Sequence, residues 1–383
     1  MLWTFFYIVL AIIGVGTSGI TTPCVHQITH PIGHTEGPHW DGRNNILYFV
    51  NIPAGEVYAY HYGSSLLKKI ILNGNVSPVI PARKDPHLLL VGVNRSVVAI
   101  EWNGKHTLGD QQVLTTVSQK FPNSRFNDGK ADKQGRLWWG TIGSEVNRVV
   151  VPDQAVFYTI TKENLENPTV AAAPVTNSNG LAWNKANNKL YYIDTPTLKV
   201  VEFDYNDEKG IISSTNKTVF DIAKWANITG LPDGMTIDTE DNLYIALFGG
   251  GAVIKVNPTT GKLLKIIAIP AKDVTSAMWG GENLDILFVT TSNTNLTPIE
   301  KLESPAAGSV FAVTGLNAKG FPAHTADIID EIPKKKNLIE VLFNPEILSS
   351  REPTKNQKIV QTRQEPGLWD SFLITVRNIF AQK

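Results

Sequence analysis

Asn179-Gly180-Leu181-Ala182-Trp183-Asn184 leads through a polar turn into Leu190-Tyr191-Tyr192-Ile193-Asp194. The phrase is a short polar residue before Gly, an apolar residue, Trp or Ile, a turn, then a β-rich pair. It recurs as Glu36-Gly37-Pro38 with Trp40-Asp41 and Leu47-Tyr48, and as Asp233-Gly234-Met235 with Ile237-Asp238 and Leu243-Tyr244. A fourth copy, Asn127-Asp128-Gly129, runs into Gly135-Arg136-Leu137-Trp138. Repetition at a steady period decides an architecture before single residues do. Aligned on Leu47, Leu90, Leu137, Leu190, Leu243 and Leu287, the units stand 43 to 53 residues apart, the length of one four-stranded propeller blade. Six such units predict an all-β, six-bladed β-propeller, and the oxygen-bearing residues that open the phrases converge on one point.

Within each unit the runs are short, rich in Val, Ile, Tyr and Phe, and punctuated by Gly, Asn and Asp, as in Val200-Val201-Glu202-Phe203 and Val253-Ile254-Lys255-Val256. No central stretch sustains a helical period for three turns, so crossover helices for an α/β fold are missing. A β-sandwich is the alternative, but it does not require motif repetition at this period. Trp138-Trp139 should place its rings on opposite faces of one strand. Gly249-Gly250-Gly251 lacks P-loop spacing and reads as a hairpin between Leu247 and Val253. His30, His34 and His39 surround Glu36 without helix-borne ligand spacing and read as ordinary loop histidines.

The 383 residues carry 42% hydrophobic content and nine Trp, enough for a large core. The 35 Lys and Arg balance 35 Asp and Glu, and no basic run exceeds Lys334-Lys335-Lys336, which reads as a solvated loop. Nothing here makes a nucleic-acid surface. Leu2 to Val15 is apolar except for Thr4 and is followed by Gly16-Thr17-Ser18-Gly19, which predicts a secretory signal peptide over 1–19. The run is short for a stable membrane span, so an uncleaved anchor is the weaker alternative. Sequons at Asn75, Asn94, Asn216, Asn227 and Asn295 agree with a secreted glycoprotein, although those at Asn75 and Asn295 are followed by Pro. The lone Cys24 cannot close an internal disulfide and reads as a spare thiol or an intermolecular tether. The propeller is expected over 20–328. A partly disordered extension over 329–383 follows, where Leu368, Phe372, Val376 and Phe380 mark a short amphipathic helix.

The phrases Glu36-Gly37-Pro38, Arg125-Phe126-Asn127-Asp128-Gly129-Lys130, Ser178-Asn179-Gly180-Leu181 and Pro232-Asp233-Gly234-Met235-Thr236-Ile237-Asp238, in that order, resemble the regucalcin/gluconolactonase family. This family, also called the senescence marker protein family, includes insect luciferin-regenerating enzymes. The resemblance covers about residues 30 to 328, with Gly308-Ser309-Val310-Phe311 to Gly315-Leu316 matching the last blade. It implies a divalent metal in the central channel and lactone hydrolysis.

The resemblance places the metal ligands on Glu36, Asn179 and Asp233, and the substrate-binding residues on Arg125, Asn127 and Glu145. Two carboxylates and an amide make a hard-oxygen set suited to Ca²⁺, Mg²⁺ or Mn²⁺; Zn²⁺ also enters such sites in the family. Availability outside the cell favours Ca²⁺. Read singly, Asn179-Gly180 and Asp233-Gly234 are hairpin pairs, and Arg125 with Glu145 is a surface ion pair. Arg125 can give paired hydrogen bonds to a polyol or carboxylate, and Asn127 can donate and accept. Ile142 stands where the family has Met, and the role of Asp128 stays open. Asp233 is the expected catalytic carboxylate, taking a proton from the attacking water. The loops 104–112 and 145–151 are expected to shape the channel mouth.

The predicted function is a secreted, divalent-metal-dependent lactonase acting on a small molecule. The alternatives are a non-catalytic calcium- or ligand-binding propeller and a luciferin-regenerating-type hydrolase whose substrate is a heterocycle.

Overall fold

A computed structural model of the chain describes residues 22–147 and 149–333. The signal segment, the basic triplet and the C-terminal amphipathic helix lie outside the described residues.

Short β-branched and aromatic runs fold into six four-stranded antiparallel sheets. Their innermost strands are Thr35–Asp41, Val76–Pro81, Arg125–Ala131, Ser178–Trp183, Leu231–Ile237 and Asp273–Gly280. Each packs against the innermost strand of both neighbouring sheets, closing a ring around a channel. The six aligned leucines each sit in the second strand of a different blade, fully buried. The expected six-bladed propeller is therefore the observed fold.

The ring closes with a strand from the other end of the chain. Cys24–Gln27 pairs with Phe311–Thr314 as the outermost strand of the sixth blade. Cys24 is exposed there and unbridged. Nothing in the period announces this strand, because its partner lies almost a whole chain away. At the other end Ile328 and Ile332 are buried in a cluster with Ile80, Leu90 and Trp139.

The core lies between blades, where facing sheets interlock their side chains. Trp138 and Trp139 are both fully buried and do point to opposite faces of the strand Leu137–Ile142. Trp139 joins Leu90, Phe126 and Tyr158 on one side, and Trp138 joins Phe157, Trp183 and Tyr205 on the other. Gly249-Gly250-Gly251 forms the expected hairpin between Leu243–Phe248 and Ala252–Asn257; Gly249 and Gly251 take positive φ of 78° and 63°. Among the described residues no helix is long and apolar enough to cross a membrane.

The polar residue that ends each phrase locks the following turn. Asp132 accepts the backbone N–H groups of Gln134 and Arg136 at 2.9 and 3.0 Å. Its Oδ2 also takes Arg136 Nε at 2.6 Å, Trp138 Nε1 at 2.8 Å and the Tyr205 hydroxyl at 2.9 Å. Asp238 repeats the scheme with Asn242 and Lys255, and Asp41 with Arg43. Asp132 is fully buried, so its removal leaves the Trp138 indole N–H without its acceptor and takes from Arg136 its shorter ion pair, leaving Asp207 at 3.5 Å. Asp132→Ala is expected to lose about 3–5 kcal/mol of unfolding free energy, measured by urea denaturation.

Candidate active site in the central channel

Every innermost strand carries one extra residue at the same level. The pairing slips between Glu36 and His39, Val76 and Val79, Phe126 and Gly129, Ser178 and Leu181, Pro232 and Met235, and Val274 and Ser276. Such bulges re-aim side chains that a regular pleat would send between the sheets. Glu36, Asn127-Asp128, Asn179 and Asp233 stand at these bulges, so the repeated phrase encodes a bulge inside a strand. Asn179-Gly180 and Asp233-Gly234 are not hairpins.

The glycines that follow are required by crowding within the ring. A Cβ on Gly180 would lie 2.6 Å from the Asp233 carbonyl oxygen, and one on Gly234 would lie 2.0 Å from Ser276 Oγ. Backbone at that distance cannot give way as a flexible side chain would. The blades that present Asn179 and Asp233 are thus held together by the absence of a side chain between them.

Glu36, Asp128, Asn179 and Asp233 are all buried. Burial, then the charges of Asp233 and Asp128, hold the Glu36 carboxyl well above the usual range, against the Gly37 amide and Arg125. Burial and Asp128 likewise raise Asp233, with a further push from Asp273, while the Asn179 amide and Arg125 oppose the shift. Asp128 is raised by burial, opposed by Lys130 and by the Gly129 N–H it accepts at 2.6 Å. Glu36 feels Asp233 and Asp128, and Asp233 feels Asp128, in a desolvated place that disfavours the charged forms.

Two acceptors there are unpartnered: Asn179 Oδ1 and Asp128 Oδ2. Asn179 Nδ2 donates to Thr195 Oγ1 at 2.8 Å, and Thr195 in turn donates to the Pro232 carbonyl at 2.9 Å. This tether fixes the amide and leaves its carbonyl oxygen without a donor. A buried group of oxygen acceptors in which three acids face only Arg125 and Lys130 fits a hard divalent ion. Among the described residues no three His, Cys, Asp or Glu side chains gather as a metal cage. The candidate set instead counts two carboxylates and one amide oxygen.

Arg125 begins the third innermost strand, at one mouth of the channel. Its Nη1 donates to the Phe126 carbonyl at 2.9 Å and to Asn127 Oδ1 at 3.0 Å. Asn127 Nδ2 donates to the Ser178 carbonyl at 3.0 Å, so both ends of that amide are engaged within the protein. Asn127 thereby orients Arg125 and ties the third blade to the fourth. Burial pushes the Arg125 guanidinium down to about 10, opposed by Glu145, Glu36 and Asp233. It remains a cation facing acids on both sides.

Glu145 is exposed on a small ribbon formed by Glu145–Val146 and Val149–Val150. Together with His34, Arg125 and Ile142 it lines a cavity of about 600 Å³ over the mouth. Burial and Arg125 hold the His34 imidazole at about 4, which makes it a neutral wall of the entrance; Ser292 Oγ lies 3.0 Å from its Nδ1. The sequon residues Asn75, Asn94 and Asn295 line the same cavity. The 104–112 loop contributes nothing to it, contrary to expectation, because it links the third and fourth strands of the second blade at their far ends.

Residues 34–293 match the model of the SMP-30/Gluconolactonase/LRE-like region. The chain belongs to that family. It is 33% identical to regucalcin of Sus scrofa over 308 residues, covering 80% of this chain and 98% of that protein. Its fold is similar to that of a luciferin-regenerating enzyme, with TM-score 0.74 and 31% identity, over 80% of this chain and 99% of the other. A calcium-binding regucalcin from Agrobacterium tumefaciens shares the fold at TM-score 0.71 and 20% identity, over 79% and 97% of the two chains. The family match spans the innermost strands of all six blades but excludes the closing strand Cys24–Gln27.

Sequence reading missed Thr195, which carries no motif and reaches Asn179 from the 3₁₀ turn Thr195–Thr197. It also missed Ser77, at the bulge of the second blade, whose hydroxyl donates to the Asn127 carbonyl. Ser77 precedes Pro78, so the polar-then-Gly signature is absent from that blade.

Proposed function

We propose that this chain is a secreted lactone hydrolase of the gluconolactonase type that depends on one divalent cation. The observation that carries the reading is the cluster of buried acids Glu36, Asp128 and Asp233, each held above its ordinary pKa, beside Asn179 Oδ1, which has no hydrogen-bond partner among the described residues. Glu36, Asn179 and Asp233 would hold the ion, with Ca²⁺ favoured and Mg²⁺, Mn²⁺ or Zn²⁺ admissible. When bound, the ion supplies Lewis-acid polarisation of a lactone carbonyl.

The chain's own groups do the rest. Arg125, oriented by Asn127, and Glu145 at the mouth grip hydroxyl groups of a cyclic ester and fix its approach. Asp233 accepts the proton of the attacking water at a carboxylate oxygen. Ligation lowers a carboxylate's basicity, while burial and the neighbouring Asp128 charge act in the opposite direction on Asp233. The ring C–O bond then breaks, and the proton held by Asp233 passes to the departing alkoxide to give the open hydroxy acid.

Arg125→Ala is expected to raise KM about tenfold with kcat changed much less, because it removes binding common to ground and transition states. Cation affinity should not fall, since the lost group is itself a cation facing Glu36 and Asp233. The test is a panel of sugar lactones, aryl esters and a heterocyclic substrate, assayed with a chelator and then with Ca²⁺, Mn²⁺ or Zn²⁺ restored. Turnover that disappears with the chelator and returns with the ion supports the reading. No ion-dependent turnover on any substrate would leave a binding propeller in its place.

Export is supported by the apolar Leu2–Val15 run and by the exposure of Asn75, Asn94 and Asn295 at the mouth. A mass decrease of the protein from the secreted fraction on glycosidase treatment is the expected result.

A further inference from the structure

The far ends of the innermost strands open on a second cavity, of about 290 Å³, that the proposed reaction does not use. Three of its lining residues each carry a buried side-chain nitrogen with no partner among the described residues: His39 Nε2, Trp183 Nε1 and Asn187 Nδ2. His39 is 4% exposed and Trp183 is 9% exposed, so neither ring is satisfied by bulk water. Indole and amide N–H groups can only donate, and the neutral imidazole does so in the tautomer protonated at Nε2. All three are donors left without an acceptor among the described residues.

Charge on the same walls points the same way. Lys130, Lys133 and Lys185 line the cavity. Lys130 Nζ donates to the Met235 carbonyl at 2.6 Å, and among the described residues neither Lys133 nor Lys185 is in an ion pair. Asp41 is paired with Arg43, Asp132 with Arg136 and Asp238 with Lys255, while Asp128 faces Lys130 and Asp241 accepts the Lys185 backbone N–H at 2.6 Å. The rest of the lining is mainly apolar, with Ile237, Met278 and Phe321, and includes the polar Asn184, Thr236 and His324. Donors and cations at one side with an apolar surface at the other describe a ligand with an anionic head and a hydrocarbon body.

We propose that this cavity binds a small monocarboxylate carrying an aromatic or branched apolar body. The carboxylate takes the Trp183, His39 and Asn187 donors under the field of the lysines, and the body packs against Met278 and Phe321. A hydrated dianion would gain nothing from the apolar wall, and a neutral amide would bring its own donor against three others.

The probe is benzoate, with benzamide as its neutral isostere and acetate as the head without the body. Binding to the full chain is followed by the ¹³C-methyl resonance of Met278, which lines the cavity. Benzoate should shift Met278 saturably, at least about tenfold more tightly than benzamide or acetate, the scale of a charge-assisted hydrogen-bond set. Trp183→Phe, and separately the exposed pair Lys133→Gln with Lys185→Gln, should each weaken benzoate severalfold while leaving lactone turnover unchanged. The Met278 shift in the wild-type chain needs no variant to fold. Equal affinity for benzoate and benzamide, no shift at Met278, or a shift abolished by a chelator, which would place the anion at the cation in the channel, would each overturn the proposal.

Discussion

Asp233→Asn is expected to hydrolyse lactones at least about a thousandfold more slowly than the wild type, and its melting temperature should no longer respond to added calcium. The same substitution should make the metal-free protein more stable near pH 8. Burial first, then nearby acids, raise both folded-state pKa values: Asp233 and Asp128 act on Glu36, and Asp128 and Asp273 on Asp233. Stability tied to such a carboxyl is fully present below its unfolded pKa, about 4, and is lost as pH climbs through the raised folded value. Asn removes one of these charges and relieves Glu36, so the gain appears on the alkaline side and vanishes below about pH 4. In the wild type a bound cation performs the neutralisation instead, adding about 2.7 kcal/mol at a hundredfold excess over Kd. That increment should shrink at pH 5, where protons compete for the same oxygens. Thermal melts of both proteins at pH 4, 5 and 8, with chelator or calcium, read all of these signs. A variant that is less stable without metal at pH 8 would mean Asp233 is satisfied by the protein alone.

Gly180→Ala carries the second large effect, through geometry alone. The added methyl would meet the Asp233 carbonyl oxygen and Met235 Cβ, each at 2.6 Å, so the fourth and fifth innermost strands must part. Overpacking of this kind costs about 1–3 kcal/mol. Separation also shifts Asn179 Oδ1 relative to Asp233 and strains the Thr195 tether, for which a cation-affinity loss of about tenfold to a hundredfold is expected. Urea unfolding and a calcium titration on one preparation measure the two losses together. Lower stability with undiminished affinity would show that the contact between these strands does not set the ligand geometry.

The propeller was legible because each blade needs the same interior. The six leucines that fixed the period are the buried residues of six equivalent strands. The Trp138-Trp139 pair was legible because strand alternation is local. Local rules misread the Asn-Gly and Asp-Gly pairs, which look like hairpins until neighbouring blades crowd them into bulged strands. The glycine there answers a clash with another blade, information that no short window holds. The closing strand Cys24–Gln27 is four residues without alternation and pairs with Phe311–Thr314, so only the need to close a ring could have suggested it. Thr195 and Ser77 act on the site through backbone carbonyls and a single amide, contacts that leave no trace in residue type. His39, read as a loop histidine, is buried in the first innermost strand and faces the opposite end of the channel from His34.

Anomalous diffraction from crystals of the protein soaked in Mn²⁺ tests most directly whether Glu36, Asn179 and Asp233 bind one divalent ion. A single strong peak is expected in the channel, within about 2.5 Å of a Glu36 carboxylate oxygen, Asn179 Oδ1 and an Asp233 carboxylate oxygen. A channel with no peak, or a peak bound by other residues, would contradict that assignment.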